Sequence, residues 1–350
     1  MPISRPKRRR EVIGAALGLP FLFTAGRGQA AETALHDWFV PDLLGPARAE
    51  GGLTVYSSTN EQEGLPLWRV FEDATGIKVT YVRNSDPSLI GRIGIEARAG
   101  QQSWDLFNSP AIYALPSQFL TPLDLPEAAA IIPEAHGAGK RWFGCYGNYN
   151  TPAYNTKLVA AADMPKNYEG FLDHPEWAGK VAIDSTDREW LYAILKSRGE
   201  EAGRRLVKQL VAVLKPAVID GHLALARAVA AGEYAVALNN YTMLTINQQL
   251  AGGPTDYWPL DPIGLFFGAV GVNPKAPHPN AARLGANFML SREAQALATR
   301  TGRLPTRRDV MANPPDAIRR LTAVRSIPVD LTPEEGRRWQ KDFHALMQAP

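Results

Sequence analysis

The stretch Gly51–Val82, GGLTVYSSTNEQEGLPLWRVFEDATGIKVTYV, decides the fold. Leu53–Tyr56 and Lys78–Val82 are short β-favouring runs. Between them Leu67, Trp68, Phe71 and Ala74 recur at helical spacing until Gly76 closes the segment. Strand, helix, strand at this spacing predicts a βαβ unit with parallel strands and a right-handed crossover. A parallel sheet is covered on both faces, so further helices are expected along the chain. The polar turn Ser57-Ser58-Thr59-Asn60 falls where the first strand ends and the helix begins, which is where open α/β sheets bind ligands. Capping of the helix by the same side chains is the more common use of such a turn.

Working outward, the rhythm repeats. Leu89, Ile93 and Ala97 mark a helix face, Trp104–Phe107 a strand, and Asn108-Ser109-Pro110 a second polar turn beside the first. Arg83, Asn84 and Ser85 end the second strand and join that wall. The segment Trp142–Asn155, WFGCYGNYNTPAYN, reads as extended, aromatic and polar, unlike a covered strand, and suits a passage between two lobes. A second α/β rhythm follows. Strands at Val181–Ile183, Ala217–Ile219 and Ala235–Leu238 end in Asp184-Ser185-Thr186-Asp187, Asp220-Gly221-His222 and Asn239-Asn240-Tyr241-Thr242, each leading into a helix. Leu265–Val272 is a long apolar strand able to carry the chain back. Two α/β lobes are therefore expected: residues 48–153 with 270–350, and residues 154–269.

The first 30 residues read as an export signal. Arg5, Lys7, Arg8, Arg9 and Arg10 precede an apolar run Val12–Phe23 and the small-residue site Gly28-Gln29-Ala30. Arg9-Arg10 also fits a twin-arginine signal, an ordinary secretion signal being the other reading. The apolar run is too short to span a bilayer as a helix. The chain carries a net +3, but those 30 residues hold six basic and one acidic, leaving 32 and 34 and a net −2 for the rest. The basic balance thus belongs to the signal, and nothing in it argues for nucleic acid. Cys145 is the single cysteine, so no intrachain disulfide forms and no lipidated cysteine follows the signal. These observations point to a soluble protein in a bacterial periplasm, and a monomer is expected.

ARAEGGLTVYSSTNEQEGLPLWRVFEDATGIKVTYV, HPEWAGKVAI, ARAVAAGEYAVALNNY and GRLPTRRDV, in this order between about Ala47 and Val310, resemble segments of extracellular solute-binding proteins. The resemblance is to the family related to the ferric-iron-binding proteins of ABC importers. It implies a two-lobed, type II-like periplasmic binding fold with a ligand cleft between the lobes and a membrane permease as partner. Ferric-binding relatives commonly place two adjacent tyrosines after the strand that here reads AVALNN; this chain has Tyr241 and then Thr242. Tyr146 and Tyr149 remain as oxygen donors for Fe3+, with Glu61 or Asp187 as carboxylate. The other reading takes a small organic or oxyanion solute and no cofactor. Its hydrogen-bonding set is Ser57, Ser58, Thr59, Asn84, Ser109, Tyr149, Thr186, Asp187, His222, Asn240 and Tyr241. His222 opens a helix, where a lone histidine is commonly a surface or capping residue, and Trp190 is expected in the core. A periplasmic enzyme is the remote alternative. GxSxG, HExxH and GxxxxGK[ST] are all absent, and Asp187 and Glu189, two apart on a helix, would not face one another.

Overall fold

The computed structural model describes residues 36–347; the expected export signal lies outside them. The opening unit forms as its periodicity demands. A first helix α1 (Pro41–Glu50) leads into β1 (Gly52–Ser57), α2 (Glu61–Thr75) and β2 (Lys78–Arg83), and β1 and β2 pair in parallel. Asn60 caps α2 by accepting from the Glu63 N–H at 3.0 Å, and Gly76 ends it in the left-handed conformation. Trp68 and Phe71 are buried on its inner face against the core. Then come α3 (Asp86–Arg98), β3 (Leu106–Ser109), a run of short 3₁₀ turns and β4 (Phe143–Asn155). Asn108 and Ser109 thus belong to β3 itself, which runs two residues past the expected strand and draws the polar pair into the ladders with β1 and with the later strand Ile263–Val272.

The second rhythm gives β5 (Val181–Asp184), α4 (Arg188–Arg198), α5 (Glu200–Leu214), β6 (Ala217–Ile219), α6 (His222–Ala231), β7 (Val236–Tyr241), α7 (Thr242–Leu250) and β8 (Thr255–Tyr257). The chain returns through β9 (Ile263–Val272) and finishes with α8 (Pro279–Leu290), α9 (Arg292–Ala298), β10 (Leu304–Pro305), α10 (Ala317–Thr322), β11 (Ser326–Pro328) and α11 (Pro333–Met347).

Two lobes imply two sheets, yet the ladders join without a break in the order β2-β1-β3-β9-β4-β7-β5-β6. The reason is the length of two antiparallel strands. The Phe143–Asn150 part of β4 pairs with β9, whereas Asn150–Tyr154 pairs with β7. In β9, Ala269–Val272 faces β3, while Ile263–Leu265 faces β11. Each strand therefore serves both halves. Every residue of β4 is buried, so this segment is a covered strand after all, and Asn150, Thr151 and Asn155 each hydrogen-bond to a neighbouring element. Separate apolar cores flank this spine. One gathers Trp38, Val55, Trp68, Phe71, Phe143, Phe288 and Leu304; another gathers Tyr168, Ile183, Trp190, Leu206, Val236 and Phe343. Trp190 is in the core as expected. The last helix departs from the expected division: assigned by sequence to the first lobe, α11 buries Trp339, Phe343 and Leu346 in the second core, against α4 and α5.

Candidate functional site: the strand ends around β4

In the first half the polar turns close largely on themselves. Ser57 is fully buried, and its hydroxyl donates to Asn108 Oδ1 at 3.3 Å and accepts from the Thr59 N–H at 3.1 Å. Ser109 is also fully buried, donating to Asp86 Oδ1 at 2.5 Å and accepting from the Ala111 N–H. The Ser58 N–H donates to the Asn108 carbonyl, and Asn84 is exposed at the end of β2, its Oδ1 accepting from the Ser85 N–H. Thr59 faces Tyr146, with the two hydroxyls 3.5 Å apart. Tyr146 lies under the Arg303 guanidinium, 4.1 Å from the ring centroid, and Arg303 is paired with Glu63 at 2.8 Å. Gly268 makes room for that ring: a Cβ there would sit 1.9 Å from it. A cavity of about 190 Å³, lined chiefly by apolar surface with Thr59, Trp68, Cys145, Tyr146 and Arg303 among its walls, stays within this half.

The second half gathers far more unsatisfied chemistry. Asp184 Oδ1 accepts from both the N–H and the hydroxyl of Thr186, at 2.7 and 2.6 Å. Asp187 caps α4 through the Trp190 N–H and accepts from Asn150 Nδ2 at 2.6 Å. His222 is buried, against the surface reading of a helix-start histidine, and stacks on Tyr241 with centroids 3.7 Å apart. Its Nε2 lies 3.4 Å from Asp184 Oδ1. Asn150, Asp184, Asp187, Arg188, His222, Asn239 and Asn240 each keep a buried polar atom without a partner, more than half of all such groups among the described residues. Buried polar groups are nearly always satisfied in folded proteins, so this concentration of orphans makes the region the candidate binding site.

Charge is equally concentrated. Burial, then Glu189 and Asp184, push the Asp187 carboxyl well above its usual range. Burial pulls His222 down to about 4, against the pull of Asp184. Burial and the neighbouring carboxylates also push the Tyr241 hydroxyl well up. Arg188 pairs with Glu189 at 3.1 Å. Tyr113 reaches this pair from the first half: burial and Glu189 raise its hydroxyl while Arg188 acts in the opposite sense. Thr186, Asp187, His222, Asn240 and Tyr241 are thus brought together, whereas Ser57, Ser58, Thr59, Asn84 and Ser109 lie along the first-half strand ends. The Tyr149 side chain is buried in the first core, where burial followed by Glu134 pushes its hydroxyl up to about 12, while its carbonyl accepts from the Thr242 hydroxyl.

The three tyrosines offered for iron have different surroundings: Tyr146 with Thr59 and Arg303, Tyr149 near Glu134, Tyr241 on His222. Glu61 is exposed on the first turn of α2. Thr242, where the second tyrosine is wanting, is fully buried; its hydroxyl donates to the Tyr149 carbonyl and meets Thr151 at 2.9 Å. Among the described residues no three His, Cys, Asp or Glu side chains are placed to hold a metal ion. Sequence reasoning left Asn150, Tyr113 and Arg303 out of the site. Asn150 carried no signal, because only the pairing of β4 with β7, and of β7 with β5, brings it to Asp187.

The sequence model for bacterial extracellular solute-binding proteins matches residues 68–323. The chain belongs to this family. Its fold is the two-lobed periplasmic binding fold, shared with solved relatives at low identity. Iron-bound HitA from Pseudomonas aeruginosa is 24% identical, with 83% of this chain and 99% of that one aligned at a TM-score of 0.69. AfuA from Actinobacillus pleuropneumoniae, bound to fructose-6-phosphate, is 20% identical over 85% and 99%, also at 0.69. The ferric binding protein of Campylobacter jejuni is 21% identical over 84% and 98%, at 0.66.

Proposed function

We infer that this protein is the periplasmic substrate-binding component of an ABC importer, holding a small organic solute between its lobes and delivering it to a membrane permease. One observation carries the choice of solute: the unpartnered buried groups around Asp184, Asp187 and His222, at the strand ends where α/β folds take ligands. Neutral amides and carboxylates in this number suit a polar organic molecule bound by many hydrogen bonds, each contributing about 0.5–1.5 kcal/mol net. An oxyanion is poorly matched. The α4 N-terminus that would attract it is already occupied by the Asp187 carboxylate, and Arg188 is paired with Glu189. Among the described residues no helix is long and apolar enough to cross a membrane, which accords with a protein that meets its permease from outside the bilayer. Nothing in the cluster calls for a catalytic role; binding and release suffice.

Ferric iron is the second reading, favoured by the likeness to iron-bound HitA and by Tyr241 at the edge of the cluster. Tyr241→Phe separates the two. An organic solute loses at most one hydrogen bond and binds up to about tenfold more weakly. Iron loses an anionic ligand, together with the visible tyrosinate-to-iron absorption. A protein that stays colourless with ferric citrate yet melts at higher temperature with an organic solute excludes iron. Chemical conversion of the solute would end the binding reading altogether.

A further inference from the structure

His222 and the carboxylates around it pose a hydrogen-bonding problem that a ligand would solve. The Tyr241 N–H donates to Asn240 Oδ1 at 2.9 Å, which fixes that amide with its oxygen at this position. The same oxygen lies 3.3 Å from His222 Nδ1, so Nδ1 carries the proton and donates. Nε2 of the neutral ring is then a bare acceptor. It faces two more acceptors, Asp184 Oδ1 at 3.4 Å and Asp187 Oδ2 at 3.9 Å.

Among the described residues no donor bonds to the facing Nε2 and Asp187 Oδ2. Asp184 Oδ2, Asp187 Oδ2 and His222 Nε2 are all buried and all without a partner. Thr186 spends its hydroxyl and its N–H on Asp184 Oδ1, and Asn150 Nδ2 is bound to Asp187 Oδ1. The free amide hydrogens of Asn239 and Asn240 reach none of these atoms. Acceptors gathered out of water repel one another unless a positively charged donor lies among them.

We propose that a primary ammonium group of the solute seats among Asp184, Asp187 and His222, so that the transported molecule is an organic cation. The assignment rests on the solute-binding reading above and narrows it. An –NH3+ group offers three donors to the two orphaned acceptors His222 Nε2 and Asp187 Oδ2 and to the Asp184 carboxylate beside them. The charge agrees as well: Asp184, Asp187 and Glu189 converge here, and Arg188 answers only Glu189. The competing state is a proton on the buried Asp187 carboxyl, which would turn one of these acceptors into a donor; an entering ammonium displaces it.

The test uses the signal-cleaved chain, with calorimetric titration and thermal melting near neutral pH. The probes are ethanolamine, 1,4-diaminobutane, agmatine, tetramethylammonium, fructose 6-phosphate and ferric citrate. At least one primary amine is expected to bind and raise the melting temperature. Tetramethylammonium, which has the charge but no N–H, should bind at least tenfold more weakly than that amine. Asp187→Asn, which keeps a capping oxygen for α4, and Asp184→Asn should each cost at least tenfold in affinity for the amine. Binding of no primary amine, equal binding of tetramethylammonium, or amine binding unchanged in both variants overturns the proposal. Binding of fructose 6-phosphate alone also overturns it but leaves the organic-solute reading standing; binding of ferric citrate alone overturns it in favour of the iron reading; turnover of any probe removes every binding reading. The probe comparison on the unaltered chain decides the matter whether or not a variant folds.

Discussion

At the scale of single residues, Asp187 and His222 have opposite effects on stability. His222 is held down to about 4, below its ordinary value near 6.5, chiefly because burial disfavours the imidazolium. A histidine depressed in the folded state stabilises it above the unfolded value, and that stability is lost as pH falls from about 6.5 through about 4. The loss is at most about 3 kcal/mol for a shift of this size. Melting temperature measured across that window should fall more steeply in the parent than in His222→Gln. Equal slopes would show that the ring titrates freely in the fold. Asp187 acts in the other sense. Its carboxyl is raised well above the usual range, mainly by burial, so its contribution is present at low pH and is lost as pH rises above the unfolded value near 3.9. Asp187→Asn removes the charge and keeps the cap. The ligand-free variant is therefore expected to melt higher than the parent at neutral pH even as it binds solute more weakly, and denaturant titration without solute checks this. A variant less stable at neutral pH would mean that the carboxylate is well compensated in the empty protein.

At the scale of elements, β4 and β9 carry the design. Their mutual ladder holds Tyr146 opposite Gly268, and the register shifts between Gly144 and Tyr146, a bulge that turns the tyrosine ring beneath Arg303. Adding a single methyl group tests this. Gly268→Ala should cost about 1–3 kcal/mol by driving a Cβ into the ring. Gly91→Ala, on α3 with open space around the added carbon, should be neutral or stabilise by up to about 1 kcal/mol. Denaturant midpoints for the pair measure both; similar midpoints would mean that Tyr146 swings aside freely. The final helix is likewise structural. Phe343 is fully buried against Trp190, and Gln340 donates to the Ser185 carbonyl at 2.9 Å, bracing the turn that carries Asp187. Phe343→Ala should cost about 3–5 kcal/mol. A loss below 1 kcal/mol would show α11 to be dispensable packing.

At the scale of the whole molecule, two cores joined by a strand spine form a hinge geometry. Asp86 and Tyr113 of the first half approach Arg188 and Glu189 of the second, so ligand in the cleft should favour the closed arrangement. X-ray scattering is expected to show a smaller radius of gyration with bound solute than without; identical curves for a solute of verified binding would argue for a rigid cleft. The sequence by itself determined the opening βαβ unit, the second α/β rhythm, the core position of Trp190 and the solute-binding resemblance. These rest on local periodicity, helix signals and residue order, all written in neighbouring residues. Only the tertiary structure decided that Trp142–Asn155 holds a buried strand, because its covering partner, β9, lies more than 100 residues away. Tertiary contacts also put α11 on the second core and His222 out of water, and they brought Asn150 to Asp187 while burying the Tyr149 side chain in the first core. A side chain's neighbours across a sheet follow from register between distant strands, and no local pattern encodes that register.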